Sequence, residues 1–203
     1  MRDKLIAAAI RRFGKFGLDG TGTRDIAADA GTTMSNITYH FGSKDGLYRA
    51  AAEAIVQRFR DVTAAQVAAV PGEGASPDER TRWVCAILRS FGAFMLSDEA
   101  KPLAIFVARE QQDPGSVMRE YFARDVHPEI DKMEAQVRAL RPELAREQCK
   151  ATVFFLLSMA ISLRSSRLSL CIFMDVTDID ETLGAMLLDR LEVQAREVLE
   201  AGR

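Results

Sequence analysis

Hydrophobic residues recur every three to four positions along most of this chain, which is the spacing of α-helices. Residues 2–16 place Ile6, Ala9, Ile10, Phe13 and Phe16 on one face, and Gly17 ends the segment. No alternating pattern of convincing length suggests a strand. The pattern therefore predicts an all-α protein.

Loops rich in Pro, Gly or acidic residues separate the later predicted helices. These helices cover residues 43–67, 79–96, 101–111, 115–140, 143–167 and 178–200. Pro128 lies inside the helix predicted for 115–140. We expect it to kink or split that helix, because proline lacks an N–H and its ring clashes with the preceding turn.

The segment GTRDIAADAGTTMSNITYHFGSK at residues 22–44 predicts two short helices around a tight turn. Thr23 is expected to cap the first helix and Thr33 the second, at about residues 34–40, through their hydroxyl groups. Gly31 suits the C-terminal end of the first helix. The arrangement is typical of a helix-turn-helix motif, here at about residues 22–41.

The second helix of this motif has a polar outer face. At 100° per residue, Ile37 points inward, while Met34, His40 and Phe41 flank the buried side. The outward side chains are Ser35, Asn36, Thr38 and Tyr39. With Lys44 following, this face suits a polar, anionic partner. It therefore predicts a recognition helix for the DNA major groove.

A dense set of positions extends this pattern over about residues 2–50. They are Thr23, Ile26-Ala27, Ala30-Gly31, Tyr39-His40-Phe41, Ser43-Lys44 and Leu47. The segment resembles the DNA-binding domain of TetR-type regulators. ITYHFGSK at 37–44 and AREQQDPGSVMREYFARDVHP at 108–128 resemble the CecR subgroup. Gly46 departs from the pattern, in which an acidic residue is common, and we expect it to cost some helix stability.

The resemblance implies a three-helix DNA-binding domain at residues 1–48 and a helical effector-binding and dimerisation domain at 49–203. The expected function is a transcriptional repressor that a small molecule releases from a palindromic operator. The alternative is a helix-turn-helix regulator that responds to a protein partner or to no small molecule. The expected DNA contacts are Thr23, Arg24, Thr33, Met34, Ser35, Asn36, Thr38, Tyr39, His40 and Lys44.

Charge is unevenly distributed along the chain. The net charge is −2, yet residues 1–60 hold ten basic and six acidic side chains, a net charge of +4 that leaves −6 for the rest. A basic N-terminal part favours an approach to phosphate. An asymmetry of this size also occurs by chance on a solvated surface.

Two C-terminal helices predict self-association. The helix at 143–167 is apolar nearly all round between Val153 and Leu163, and the helix at 178–200 has one apolar stripe. Part of the first needs cover beyond the protomer's own core, unless the core is fully intramolecular. The resemblance implies a two-fold four-helix interface, and hence a homodimer through these two helices.

A small apolar or aromatic effector is expected among the helices from 43–67 to 115–140. Arg109 or Glu110 would contact its polar end, because charges beside apolar residues need partners or a function. A plain core, or an internal salt bridge for these two charges, is the alternative. The candidate effector residues are Trp83, Phe91, Phe94, Phe106, Arg109, Glu110, Met118, Tyr121 and Phe122. The helix at 43–67 would link the domains, with Leu47 and Ala51 on the DNA-binding side and Phe59 and Val62 on the other.

Enzyme activity is not expected. The two histidines, His40 and His127, are far apart, and no catalytic set, metal cluster or phosphate-binding glycine loop stands out. We expect no cofactor. Cys85, Cys149 and Cys171 lie in apolar helical surroundings, which favours reduced, buried thiols in a cytoplasmic protein. The apolar run 153–163 is too short to span a bilayer, and no signal peptide is apparent.

Overall fold

The computed structural model describes residues 1–201, and these residues form α-helices, turns and loops without a strand. This confirms the all-α prediction. A five-residue π-helical turn, Phe122–Val126, lies between α7 and α8. The helices are α1 (Arg2–Phe16), α2 (Thr23–Asp29), α3 (Met34–Phe41), α4 (Lys44–Ala68), α5 (Pro77–Leu96), α6 (Ala100–Glu110), α7 (Met118–Tyr121), α8 (His127–Leu140), α9 (Arg146–Ser165), α10 (Arg167–Phe173) and α11 (Glu181–Glu200).

The chain forms two compact units. The first comprises Met1–Arg58 and Lys101–Val126, and the second comprises Phe59–Ala100 and the described residues from His127 onward. The helix α4 therefore contributes residues to both units. The division into domains at 1–48 and 49–203 stays a prediction, and its last two residues lie outside the described part of the chain.

The core of the first unit begins with α1, whose bounds agree with the prediction. Ile6, Ala9, Ile10 and Phe13 are buried as expected, but Phe16 is 43% exposed. Its ring instead contacts the cationic groups of Arg12 and Lys15, at 5.8 and 4.9 Å from the ring centroid. Because Phe16 is the last residue of α1, its ring lies at the edge of the core, where the cations can reach it.

The second unit is built around α5, which packs against α8, α9 and α11. This helix begins at Pro77, two residues earlier than predicted, because Ser76 and Glu79 form a capping box. The Ser76 hydroxyl accepts from the Glu79 N–H at 3.3 Å, and the Glu79 carboxylate accepts from the Ser76 N–H at 2.7 Å. Buried apolar residues of α5 and α9, such as Leu88 and Leu156, form the core.

Pro128 splits its predicted helix, as expected: α7 gives way to the π-helical turn, and α8 begins at His127. The predicted helix at 143–167 is α9, which ends at Ser165. A further short helix, α10, follows at an angle of 83° to α9, and the sequence pattern did not predict it. Within residues 1–201, no single helix meets the length and hydropathy of a membrane span, and the bent α9–α10 pair meets them only jointly.

Candidate DNA-binding site

The turn between α2 and α3 is fixed by backbone hydrogen bonds. The Ala27 carbonyl accepts from Thr32 N–H at 2.9 Å, and the Ala28 carbonyl accepts from Gly31 N–H at 3.0 Å. Gly31 has a φ of 65°, a left-handed conformation that glycine adopts at little cost. This is the helix ending that the sequence predicted, and it directs the chain into α3.

The predicted side-chain caps are wrong. Gly22 is the N-cap of α2, and Thr23 is the first helical residue, with its hydroxyl 3.8 Å from the Met34 sulfur. Thr33 does occupy the N-cap position of α3, but its hydroxyl pairs with the Ser35 hydroxyl at 2.7 Å. Because the Thr33 hydroxyl bonds to the Ser35 hydroxyl, it does not accept a hydrogen bond from a backbone N–H of α3.

The helix α3 has one buried and one exposed side. Ile37 is 2% exposed and anchors the helix in the first unit, whereas Tyr39 is 82% exposed. Met34, Ser35 and Thr38 are also exposed, and Arg24 is exposed on α2. His40 is half-buried and lies between its neighbours, with its ring 4.9 Å from that of Tyr39 and 6.0 Å from that of Phe41. Ser35, Thr38 and Tyr39 point outward as predicted, whereas Met34, which was expected to flank the buried side, is 45% exposed.

Asn36 is half-buried, and its side-chain amide donates to the Thr32 hydroxyl at 2.7 Å. An amide nitrogen carries two N–H groups, so one donor is used within the protein. The second N–H and the carbonyl oxygen are the groups that pair with adenine in the major groove. The bond to Thr32 therefore orients the amide without consuming the groups that base recognition requires.

Lys44 has partners that the sequence did not reveal. Its ammonium donates to the carbonyls of Leu18 and Thr21, at 2.9 and 3.3 Å. These bonds tie the α1–α2 loop to the start of α4. An ammonium has three donors, so a phosphate contact by Lys44 stays a prediction that involves the third.

The backbone around Gly46 explains why a glycine occupies this position. A Cβ atom built at this position would lie 2.0 Å from the Phe41 carbonyl oxygen, far inside contact distance. The N–H of Gly46 also donates to the Ser43 hydroxyl at 3.0 Å, which caps α4. The close approach of α3 to α4 therefore requires the glycine that departs from the family pattern.

Two arginines of α1 support the helix-turn-helix, and the sequence analysis did not identify this role. The guanidinium of Arg2 lies over the Phe41 ring at 5.6 Å from the centroid, beside the end of α3. The guanidinium of Arg12 makes two bonds to the Asp29 carboxylate, at 2.6 and 2.8 Å, and holds α1 to α2. The hydrogen bond to Arg12 lowers the pKa of Asp29 below its ordinary value. No sequence spacing identifies either partner.

Three of the candidate effector residues lie in the second unit. Trp83 is buried, and its indole N–H donates to the Gln66 carbonyl at 2.6 Å. The rings of Phe91 and Phe94 lie 5.7 and 6.1 Å from that of Phe59. The side-chain oxygen of Gln66 is buried and has no hydrogen-bond partner within the described residues. An aromatic cluster therefore shares this unit with a polar atom that lacks a partner.

The other six lie in the first unit, where Phe106, Met118 and Tyr121 are buried and Phe122 is half-buried. Arg109 donates to the carbonyls of Gly14 and Lys15 at the end of α1, at 3.1 and 3.0 Å. The partners of Arg109 are therefore backbone carbonyls and not the internal salt bridge that the sequence suggested as an alternative.

Glu110 is buried, and its carboxylate accepts hydrogen bonds from the Tyr48 hydroxyl and, at 2.6 Å, from the Ser116 hydroxyl. Burial, together with the bond to Glu110, raises the pKa of Tyr48. Arg109 and Glu110 therefore fix α6 to α1 and α4.

A cavity of about 1100 Å³ opens in the first unit beside these bonds. Arg109 and Glu110 line it, together with the α1–α2 loop and the α6–α7 loop. Its charged side chains are of both signs, among them Lys15, Arg49 and Asp45. Such a lining differs from the apolar, aromatic site that the sequence led us to expect.

The three cysteines are buried free thiols, as expected. Burial raises the pKa of Cys85 to about 11, so this thiol stays protonated at neutral pH. His127 is exposed beside Asp131 on α8. Among the described residues, no group of histidine, cysteine and acidic side chains could hold a metal ion.

Two family models match the chain. Residues 5–51 match the model described as bacterial regulatory proteins, tetR family. Residues 77–170 match the C-terminal domain of the HTH-type transcriptional dual regulator CecR. The matches cover the helix-turn-helix segment and the helices from α5 into α10.

The chain is also similar in sequence to two transcriptional regulators. The chain is 32% identical over 145 residues to the HTH-type transcriptional dual regulator CecR of Shigella flexneri, covering 66% of this chain and 63% of that protein. It is 26% identical over 132 residues to the HTH-type transcriptional regulatory protein RaaS of Mycobacterium tuberculosis, covering 65% and 55%. The chain thus spans less than two-thirds of each relative's length.

A solved structure shares the fold across the whole chain. It is the transcriptional regulator FadR from Bacillus subtilis in complex with stearoyl-CoA, with a TM-score of 0.65, 13% identity and 100% coverage of both chains. At this identity the likeness concerns the fold alone.

Proposed function

Because the chain belongs to the TetR family of bacterial DNA-binding transcriptional regulators, we propose that it represses transcription as a homodimer on a palindromic operator and leaves that operator when a small molecule binds. The observation that carries the DNA-binding part is the two-sided character of α3. Ile37 anchors the helix, and hydrogen-bonding side chains cover its exposed side. The proposal places the protein in the cytoplasm, where its DNA partner lies.

The candidate contacts divide by chemistry into two groups. The phosphate contacts come from Thr23, Arg24, Thr33, His40 and Lys44. Arg24 also reaches a guanine edge. Arg2 joins them, because the Phe41 ring holds its guanidinium beside α3. Base and sugar contacts come from Met34, Ser35, Asn36, Thr38 and Tyr39. Two such helices enter successive major grooves, about 34 Å apart.

Tyr39→Ala tests the recognition helix. The ring is 82% exposed, so its loss should leave the fold intact. We expect affinity for an operator selected in vitro to fall about tenfold or more, measured by fluorescence anisotropy. Arg82→Ala, an exposed change on α5, is the control and should bind like wild type. Equal binding by Tyr39→Ala and wild type would refute the assignment of α3.

Dimerisation is supported by exposed apolar residues on α9 and α11. Phe154 and Phe155 are each 64% exposed, and Met186, Val193 and Val198 are exposed as well. One recognition helix reads only a few base pairs, so a second copy is needed for useful specificity. We expect Phe155→Glu to dissociate the dimer at micromolar concentration, as measured by sedimentation. Ala64→Glu, at an exposed position of α4, is the matched control.

The effector is placed in the second unit. Phe59, Phe91 and Phe94 offer an aromatic surface, and the buried Gln66 oxygen offers an acceptor without a partner among the described residues. The predicted ligand contact of Arg109 or Glu110 concerns the first unit, where it would compete with their bonds to α1 and α4. By linkage, a ligand that lowers DNA affinity is itself bound less tightly in the presence of DNA.

A thermal-shift screen of apolar and aromatic compounds tests the effector proposal, because a ligand bound to the folded state raises the melting temperature. We expect Phe91→Ala, at a half-buried position, to reduce the shift while operator binding by the free protein is retained. A compound that binds tightly but leaves operator affinity unchanged would contradict this switch. A screen without any stabilising compound would favour regulation by a protein partner or by no ligand.

A further inference from the structure

The short helix α10 exposes most of its apolar surface. Leu168, Ile172 and Phe173 are 77%, 66% and 83% exposed. Leu168 and Ile172 are four residues apart and therefore share one side of the helix. Isolated exposed apolar residues are common, but a contiguous group marks a binding surface. We call Leu168, Ile172 and Phe173 the α10 patch.

This patch is held in place from both ends. Arg167 donates to the Asp178 carboxylate, with its Nε at 3.1 Å, and to the Ile179 carbonyl. At the other end, Val176 N–H donates to the Cys171 carbonyl at 3.0 Å, and Cys171 is buried. The exposed side chains therefore belong to an anchored helix whose opposite side is packed.

The charge around the α10 patch favours a second copy of this chain over a membrane surface as its partner. Residues 168–174 contain no charged side chain, and neither do residues 151–163 of α9. A two-fold contact places a surface against its own copy, so an uncharged apolar surface avoids self-repulsion. A membrane surface would favour flanking Lys and Arg. Here Arg167 is paired with Asp178, and Asp175, Asp180 and Glu181 follow.

We propose that the α10 patch packs against a second copy of this chain and forms part of the homodimer contact together with α9. This inference rests on the proposed homodimer and extends it to residues outside the two long helices. Because α10 is bent by 83° from α9, the second copy would contact two helices that run in different directions. Such a contact fixes the orientation of the copy more firmly than two parallel helices do.

The double variant Leu168→Ser/Phe173→Ser tests the inference in the full chain. We expect the dimer dissociation constant, measured by sedimentation equilibrium, to rise about tenfold or more. Val70→Ser, which polarises an exposed apolar residue elsewhere in the second unit, should leave it unchanged. Circular dichroism should show wild-type helicity for both variants.

Hydroxyl-radical footprinting gives a second readout that does not depend on a substitution in α10. The patch should be protected in the wild-type dimer and oxidised in the Phe155→Glu monomer. If Phe155→Glu dissociates the dimer while the double variant associates like wild type and the patch is oxidised in both states, the α10 inference fails and the proposed dimer stands. A monomeric wild-type protein overturns both. Binding to phosphatidylcholine–phosphatidylglycerol vesicles through an unprotected patch would also overturn the inference.

Discussion

Two exposed helix faces of this protein differ in chemistry. The outer side of α3 presents Ser35, Thr38 and Tyr39, whereas α9 presents Phe154 and Phe155. Both are exposed in the protomer, so exposure alone does not identify the partner. Hydroxyl groups suit base edges and phosphates, while uncharged apolar side chains suit a second protein surface. The composition of each face therefore points to its partner.

The contrast also exists within a single helix, because α3 buries Ile37 while exposing its neighbour Thr38. The largest predicted effect uses this pair. Ile37→Glu should destabilise the folded state by about 4 kcal/mol or more, since it buries an unpaired carboxylate. Thr38→Glu should change stability by only about 0.5 kcal/mol but abolish operator binding by repelling phosphate. Thermal denaturation and fluorescence anisotropy measure the two effects.

If Thr38→Glu bound the operator like wild type, the exposed side of α3 would have no role in DNA binding. If Ile37→Glu melted like wild type, the buried side would not anchor the helix. Either result would break the contrast between the two sides of α3.

Leu187→Glu tests the apolar surface of the two C-terminal helices. Leu187 is half-buried in α11. If it packs against a second copy, a carboxylate at this position would be buried without a partner and would weaken the dimer. We expect the dimer dissociation constant to rise about tenfold or more, measured by sedimentation. Circular dichroism must accompany the measurement. Lost helicity would assign Leu187 to the protomer core, whereas a folded variant that dimerises like wild type would remove it from the interface.

Asn36→Ala should have a smaller and more specific effect. It removes the amide that Thr32 orients, and should cost about 1–3 kcal/mol at one base position while other positions keep their preference. Selection of bound DNA from a random library, repeated for the variant and wild type, measures that change. An unchanged selected sequence would exclude a base contact by Asn36.

The smallest predicted effects concern phosphate contacts. Lys44→Ala and Arg24→Ala should each reduce the salt dependence of operator binding by about one phosphate. Only Lys44→Ala should also lower stability, by about 1 kcal/mol, because it removes bonds to the Leu18 and Thr21 carbonyls. Anisotropy titrations at several salt concentrations and thermal denaturation separate the two roles. Equal melting temperatures for the two variants would contradict the structural role of Lys44.

The sequence predicted what depends on local periodicity and turn chemistry. The bounds of α1, the glycine ending at Gly31 and the break near Pro128 all follow from residues close in the chain. The helix α10 was missed because the polar run RSSR at 164–167 separates two apolar segments, and such a run also fits the end of a helix.

Contacts between distant residues had no signal in the sequence. Nothing in the spacing shows that Arg109 binds carbonyls of α1, that Lys44 binds the α1–α2 loop, or that Gly46 lies against the Phe41 carbonyl. The threonine caps failed for a related reason, since Thr23 and Thr33 find side-chain partners in the folded turn. The charges beside Phe106 did predict that partners would be needed, but not which partners.

We propose that the exposed side of α3 reads DNA as one of two copies. In vitro selection from a random DNA library with the purified full chain is the experiment that addresses this proposal. We expect enrichment of a palindrome whose half-sites lie about 10 base pairs apart, and loss of that enrichment for Tyr39→Ala. Binding that is strong only at low salt, with no enriched sequence for the wild-type protein, would contradict it.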